Sequence, residues 1–385
     1  MVACAPEPAS VTAPPLRFLH TFGAGETEAL NELLAARGGP QVETSQVPFS
    51  RGQGVIGALL SSGQDCPDLV RIDATWLPGL VQAGLLSPAP AEVAGAEWIP
   101  EAAELARAGD TWWAVPQAVD GLLAAFRPAV VPELATPPSS LDQLIAAATA
   151  AQRRGAARHA IGLRGDGYWL IPFLRAAGAE IDDGTLGLGA GGGGTDAAVG
   201  AGETAVAAFA ALFAAGIAAP PAPAGAEERE EPRRFRAGEV AVIVTGPWAL
   251  DELTGGDLSA VAVTAVPGAP RGGQVLVVPR CARAPDEAWA LAAALTAPAL
   301  EASWARRFGM VPSRAGAFAG AGAVAGQVRD ALRPARPLPR HPRTALLFDD
   351  LNPALAAVVA GDATPAEALE GVRRAWARLE GDATP

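Results

Sequence analysis

Strand-like and helix-like segments exchange regularly in the early part of the chain, and this alternation constrains the fold more than any other feature. Residues 16–20 read as a strand. Residues 26–36 read as a helix with Ala29, Leu30, Leu33 and Leu34 on one face. Residues 41–49 form a second strand pattern through Val42, Thr44, Val47 and Phe49, and residues 55–60 are helical. A third strand covers 67–72, and a helix over 76–83 stops at Gly84. This order implies a largely parallel α/β sheet. Ligands of such sheets bind beyond the carboxyl ends of the strands. Here those ends lead into loops carrying Phe22, Asp73 and Trp76.

Length and charge narrow the class. A chain of 385 residues is expected to form two domains. All 29 basic residues are arginine, the net charge is −12, and no arginine cluster alternates with aromatics. Nucleic acid is therefore not an expected partner, and an anionic membrane surface offers no electrostatic attraction. The longest apolar run, residues 205–219, is shorter than the roughly 20 needed to span a bilayer. The opening Met1-Val2-Ala3-Cys4, followed by a Pro/Ala/Ser/Thr stretch to Pro15, admits two readings. One is the end of a lipobox, with Cys4 lipidated and residues 1–15 a tether. The other is a cysteine in a disordered start. The first agrees with the rest of the chain.

Enzyme signatures are weak. Gly187 to Gly192 fits Gly-x-Gly-x-x-Gly but lies in a glycine run, not after a strand. There is no Gly-x-Ser-x-Gly or Walker loop. His20, His159 and His341 lack metal-ligand spacing. The expectation is no cofactor, no metal and no catalytic residue. A carboxylate pair such as Asp73 and Asp120 keeps one enzymatic alternative open, a lipid-anchored glycoside-active enzyme.

The middle of the chain carries an ordered motif series. It runs from Pro67-Asp68-Leu69-Val70-Arg71-Ile72-Asp73 through Gly109-Asp110-Thr111-Trp112-Trp113-Ala114-Val115-Pro116 and the helix start at Ser140-Leu141. It continues with Phe235-Arg236-Ala237-Gly238 leading to Gly246-Pro247-Trp248, then Gly309-Met310-Val311-Pro312-Ser313-Arg314. This series resembles the maltodextrin-type extracellular solute-binding proteins of ABC importers. The aromatic usual at the helix start near Ser140 is missing here.

The resemblance implies a type II periplasmic-binding-protein fold, two α/β lobes joined by a hinge with a ligand cleft between them. The N-lobe is expected to hold residues 16–119 and 268–309, and the C-lobe 120–267 and 310–385. Crossovers fall near Val119, residues 263–267 and residues 310–312. Residues 182–196 and 220–233 read as surface insertions by composition. The implied protein is exported, lipid-anchored and monomeric. It binds a di- or oligosaccharide or sugar derivative and passes it to ABC permease subunits; a non-sugar solute is the alternative.

A sugar site needs fixed polar groups among aromatic faces. Trp248, behind Gly246-Pro247, is the expected stacking platform. Of Tyr168 and Trp169, one faces the cleft and the other packs. Trp76 is either a platform or the first core residue of its helix. Asp73 and Asp120 are the expected hydroxyl acceptors, although Asp73 could instead cap the helix after it. Asp166, Phe22, Gln274 and Arg314 complete the candidate set. In the implied fold, the strands beside Cys66 and Cys281 are antiparallel neighbours. A Cys66–Cys281 disulfide is therefore expected, with two buried free thiols as the alternative.

Overall fold

The computed structural model describes residues 14–181, 196–223 and 225–381. Cys4 and residues 182–195 of the glycine-rich stretch lie outside them.

Two sheets carry the fold. The first holds β1 (Leu16–His20), β2 (Val42–Gln46) and β3 (Leu69–Asp73), which run parallel. A small hairpin, β4 (Arg107–Ala108) and β5 (Thr111–Trp112), precedes β6 (Val115–Gly121) of the same sheet. The second sheet takes β7 (Leu123–Phe126), β8 (His159–Gly162), β9 (Val240–Thr245) and β10 (Ala262–Ala265), in the order β10-β7-β9-β8. The chain then returns to the first sheet through β11 (Pro270–Val277), β12 (Val311–Pro312) and β13 (Arg336–Pro337). Its order is β12-β6-β11-β3-β1-β2, with β13 on the end of β11. Every residue of β9 is buried, as its Val-Ala-Val-Ile-Val-Thr sequence suits a strand covered on both faces.

Crossings between the sheets are short. Gly121 and Leu122 join β6 to β7, and a Cβ at Gly121 would lie 2.5 Å from the Pro270 carbonyl oxygen. Only glycine lets the two crossing strands approach this closely. Two expected boundaries shift as a result. Asp120, expected in the C-lobe, pairs with Gly272 of β11, inside the first sheet. Val311–Pro312 and Arg336–Pro337, also expected in the C-lobe, hydrogen-bond to β6 and β11. The backbone groups of those strands would otherwise lack partners along the hinge. The chain thus returns to the second lobe only after β13, with the helices Leu347–Ala360 and Pro365–Gly381. These pack around Trp376, Phe209, Leu170 and Leu351 in that lobe's core.

The charged stretch read as an insertion folds as the helix Glu227–Arg236. Arg233 and Arg234 pair with Glu230 at helical spacing, and Glu231 is buried against Arg164. The expected disulfide is present, with 5.9 Å between the Cα atoms of Cys66 and Cys281. Antiparallel pairing of Val70 with Val277 brings the start of β3 beside the end of β11. Buried Asp68 reinforces this junction by accepting from the backbone N–H groups of Arg17, Arg283 and Ala284.

Candidate functional site

β11 lies between β3 and β6, antiparallel to both. Gln274 stands opposite Asp73 on one side and Ala118 on the other, while Gly272 stands opposite Asp120. Side chains two residues apart share a face of a strand, so Asp73, Gln274 and Asp120 meet on one face. Gln274 Nε2 donates to Asp73 Oδ2 and to Asp120 Oδ2, each at 3.2 Å. Gly272 keeps that face open. A Cβ there would lie 3.1 Å from Asp120 Oδ1 and 3.9 Å from the Tyr168 hydroxyl.

The carboxylates are electrostatically strained. Burial, then the charge of Asp73, pushes the Asp120 carboxyl up to about 7. Burial also raises Asp73, against the hydrogen bonds it accepts from Thr75 and Gln274. Asp73 Oδ1 accepts from Thr75 N at 2.8 Å and Thr75 Oγ1 at 2.5 Å. One of its oxygens therefore closes the turn at Thr75 without capping the helix Leu77–Gln82, and the other accepts from Gln274. Arg71 lies behind them, buried, donating to Gln117 and Thr21. His20 is held neutral, its pKa lowered to about 4 by burial and then by Arg71.

From the second lobe, the helix Gly167–Ala176 delivers Tyr168 to this cluster. Asp166 caps that helix by accepting from Tyr168 N at 3.0 Å. Burial, followed by Asp120 and Asp73, raises the Tyr168 phenol well above its ordinary value. The Tyr168 ring meets Trp169 edge to face, and Trp169 meets Trp248 the same way. Trp169 is the packing member of its pair. It is buried, its indole N–H donates to the Val244 carbonyl at 2.7 Å, and Arg164 covers its ring. Trp248 is 40% exposed, with its ring folded over Gly246.

Beside the carboxylates an open cleft of about 980 Å³ is lined by Thr75, Gly272, Arg271, Glu180, Arg340 and neighbouring residues. The segment carrying Arg340 and His341 straps one side. Arg340 donates to the carbonyls of Glu104, Leu105 and Arg107.

Several candidates stand away from this surface. Phe22 is buried under the Arg71 guanidinium, 4.1 Å from its ring, and against Trp304. Trp76 is buried beneath Phe49 and closely overlies Gly52. Arg314 stacks 3.7 Å over Trp98 and donates to the Thr296 carbonyl, so its charge serves the first lobe. Sequence reading missed Phe49, which is 45% exposed at the carboxyl-end rim of the first sheet. Its place in the Val42–Phe49 alternation disguised it; the strand stops at Gln46, and Phe49 opens the helix Phe49–Ser62 behind Pro48. Among the described residues no group of three or more His, Cys, Asp or Glu could hold a metal, and no helix is long and apolar enough to cross a membrane.

The architecture recurs in solved structures. The GacH receptor of Streptomyces glaucescens GLA.O, determined unliganded and with acarbose, is 23% identical at a TM-score of 0.82, covering 96% of this chain and 99% of that one. Maltose-bound MalE3 of T. maritima is 18% identical at 0.79, covering 94% and 100%. The Thermus thermophilus maltotriose binding protein, bound with maltotriose, is 20% identical at 0.75, covering 94% and 99%. No curated protein matches the sequence. The model of the bacterial extracellular solute-binding proteins matches residues 28–328, and the chain belongs to that family.

Proposed function

We propose that the protein captures a di- or oligosaccharide, or a sugar derivative, between its two lobes and delivers it to the permease of an ABC importer. As a member of its family it is an exported binding protein and not an enzyme. The observation that carries the saccharide reading is the Asp73–Gln274–Asp120 cluster facing Tyr168, with the open indole of Trp248 further along the same aromatic row. Carboxylates and an amide supply acceptors for sugar hydroxyls, and an aromatic face packs on ring C–H groups. Similar structures were solved with maltose, maltotriose and acarbose, which supports the same class. The protein works as a monomer without nucleic acid, and Cys4 is its lipid anchor.

A thermal-shift screen of the purified protein tests this, because a ligand that binds only the folded state raises the melting temperature. Disaccharides and maltodextrins should raise it. A shift by amino acids or inorganic anions alone would overturn the reading.

A further inference from the structure

Two carboxylates crowd one point beside the cleft. Asp73 Oδ2 and Asp120 Oδ2 share a single donor, Gln274 Nε2. Gln274 is 7% exposed, and its Oε1 is buried with no hydrogen-bond partner among the described residues. The charges acting on Asp120 come from Asp73 and Arg71 on β3, and from Glu26 on the helix Ala24–Ala36. Three carboxylates thus face one guanidinium, and that guanidinium donates to Gln117 and Thr21 and lies over Phe22. Tyr168, from the second lobe, adds only a phenol kept neutral by burial and by those same acids.

A neutral hydroxyl entering this point donates one hydrogen bond and leaves the excess negative charge in place. An ammonium offers three donors and a compensating charge. We infer that the ligand is a saccharide bearing a protonated amine, whose ammonium is held by Asp73 and Asp120. The inference rests on the saccharide reading above and narrows it.

Binding of the cation would also favour ionised Asp120. That carboxyl stands near 7 in the free protein, so the ligand should expel a proton at neutral pH. Affinity for the amine should therefore rise between pH 6 and pH 7.

Calorimetric titration of the whole protein at pH 7 tests this with matched probes: a glucosamine disaccharide, its N-acetylated form, and the neutral glucose disaccharide of the same linkage, beside maltose and maltotriose. The free amine should bind at least about tenfold tighter than every neutral probe, about 1.4 kcal/mol. Asp120→Asn should abolish that advantage while circular dichroism shows the fold kept. Should that variant not fold, proton release by the wild-type protein, measured in two buffers of different ionisation heat, gives the same decision. Neutral probes binding as tightly as the amine would overturn the inference and leave the saccharide reading standing. If no saccharide of either kind binds, the saccharide reading fails and the inference falls with it.

Discussion

Asp73 and Asp120 lie on strands that flank β11 from opposite sides, yet both accept a hydrogen bond from one atom, Nε2 of Gln274, at 3.2 Å. Among the described residues neither aspartate forms an ion pair with a basic group, so the pair carries buried negative charge that a ligand can relieve. Asp120→Asn removes part of it. The variant should lose about 1.5–3 kcal/mol of ligand affinity, the worth of a hydrogen bond to a charged group, in calorimetric titration at pH 7.

The same variant separates folding from binding. Folded Asp120 titrates near 7, raised above its unfolded value by burial and Asp73. An acid raised in this way stabilises the fold below its unfolded pKa, and that contribution is lost as pH rises toward and through 7. The ligand-free wild type should therefore lose melting temperature between pH 5 and pH 8. Asp120→Asn should lose less and melt higher than wild type at pH 8. Identical pH profiles would contradict a buried, ionisable Asp120.

Gly272→Val should obstruct the site without disturbing the core. The added Cβ would sit 3.1 Å from Asp120 Oδ1 and within 3.9 Å of the Tyr168 hydroxyl. Binding should weaken by about tenfold or more, with a melting temperature close to wild type. Normal binding would mean the ligand does not approach this face of β11.

Trp248 and Trp169 touch edge to face but should respond in opposite ways. Trp248→Ala should cost about 1–3 kcal/mol of affinity and little stability, because its indole is partly exposed. Trp169→Phe removes the hydrogen bond to the Val244 carbonyl and leaves that acceptor buried, which should cost about 1–3 kcal/mol of stability. Chemical denaturation of both variants beside ligand titration checks the contrast.

Replacing Cys66 and Cys281 by serine should lower the unfolding free energy. The bond spans 215 residues, which in the chain-entropy treatment restricts the unfolded chain by about 5 kcal/mol; native bonds are commonly worth about 2–5 kcal/mol. Denaturation in urea measures the loss, and thiol titration of denatured, unreduced wild type should find neither cysteine free.

The end of β3 was legible from local pattern, and Asp73 with it; Asp120 and Gln274, expected just past one strand and at the start of another, lie inside β6 and β11. The antiparallel placement of β11 that brings the three together came from the family resemblance. Partners supplied from far along the chain were not legible. Trp169 is claimed by Val244, and Arg314 by Trp98 and Thr296. Those contacts depend on sheet register and helix packing that no local spacing encodes. Phe49 was hidden because apolar alternation continues past Gln46, while the backbone turns at Pro48 into a helix.

The most direct test is a crystal structure of the protein with the saccharide that raises its melting temperature most. Ligand density should lie between the lobes, with polar groups on Asp73, Asp120 and Gln274 and a ring against Trp248. Density for that saccharide elsewhere on the surface, with the Asp73–Gln274–Asp120 face empty, would contradict the assignment of this cleft.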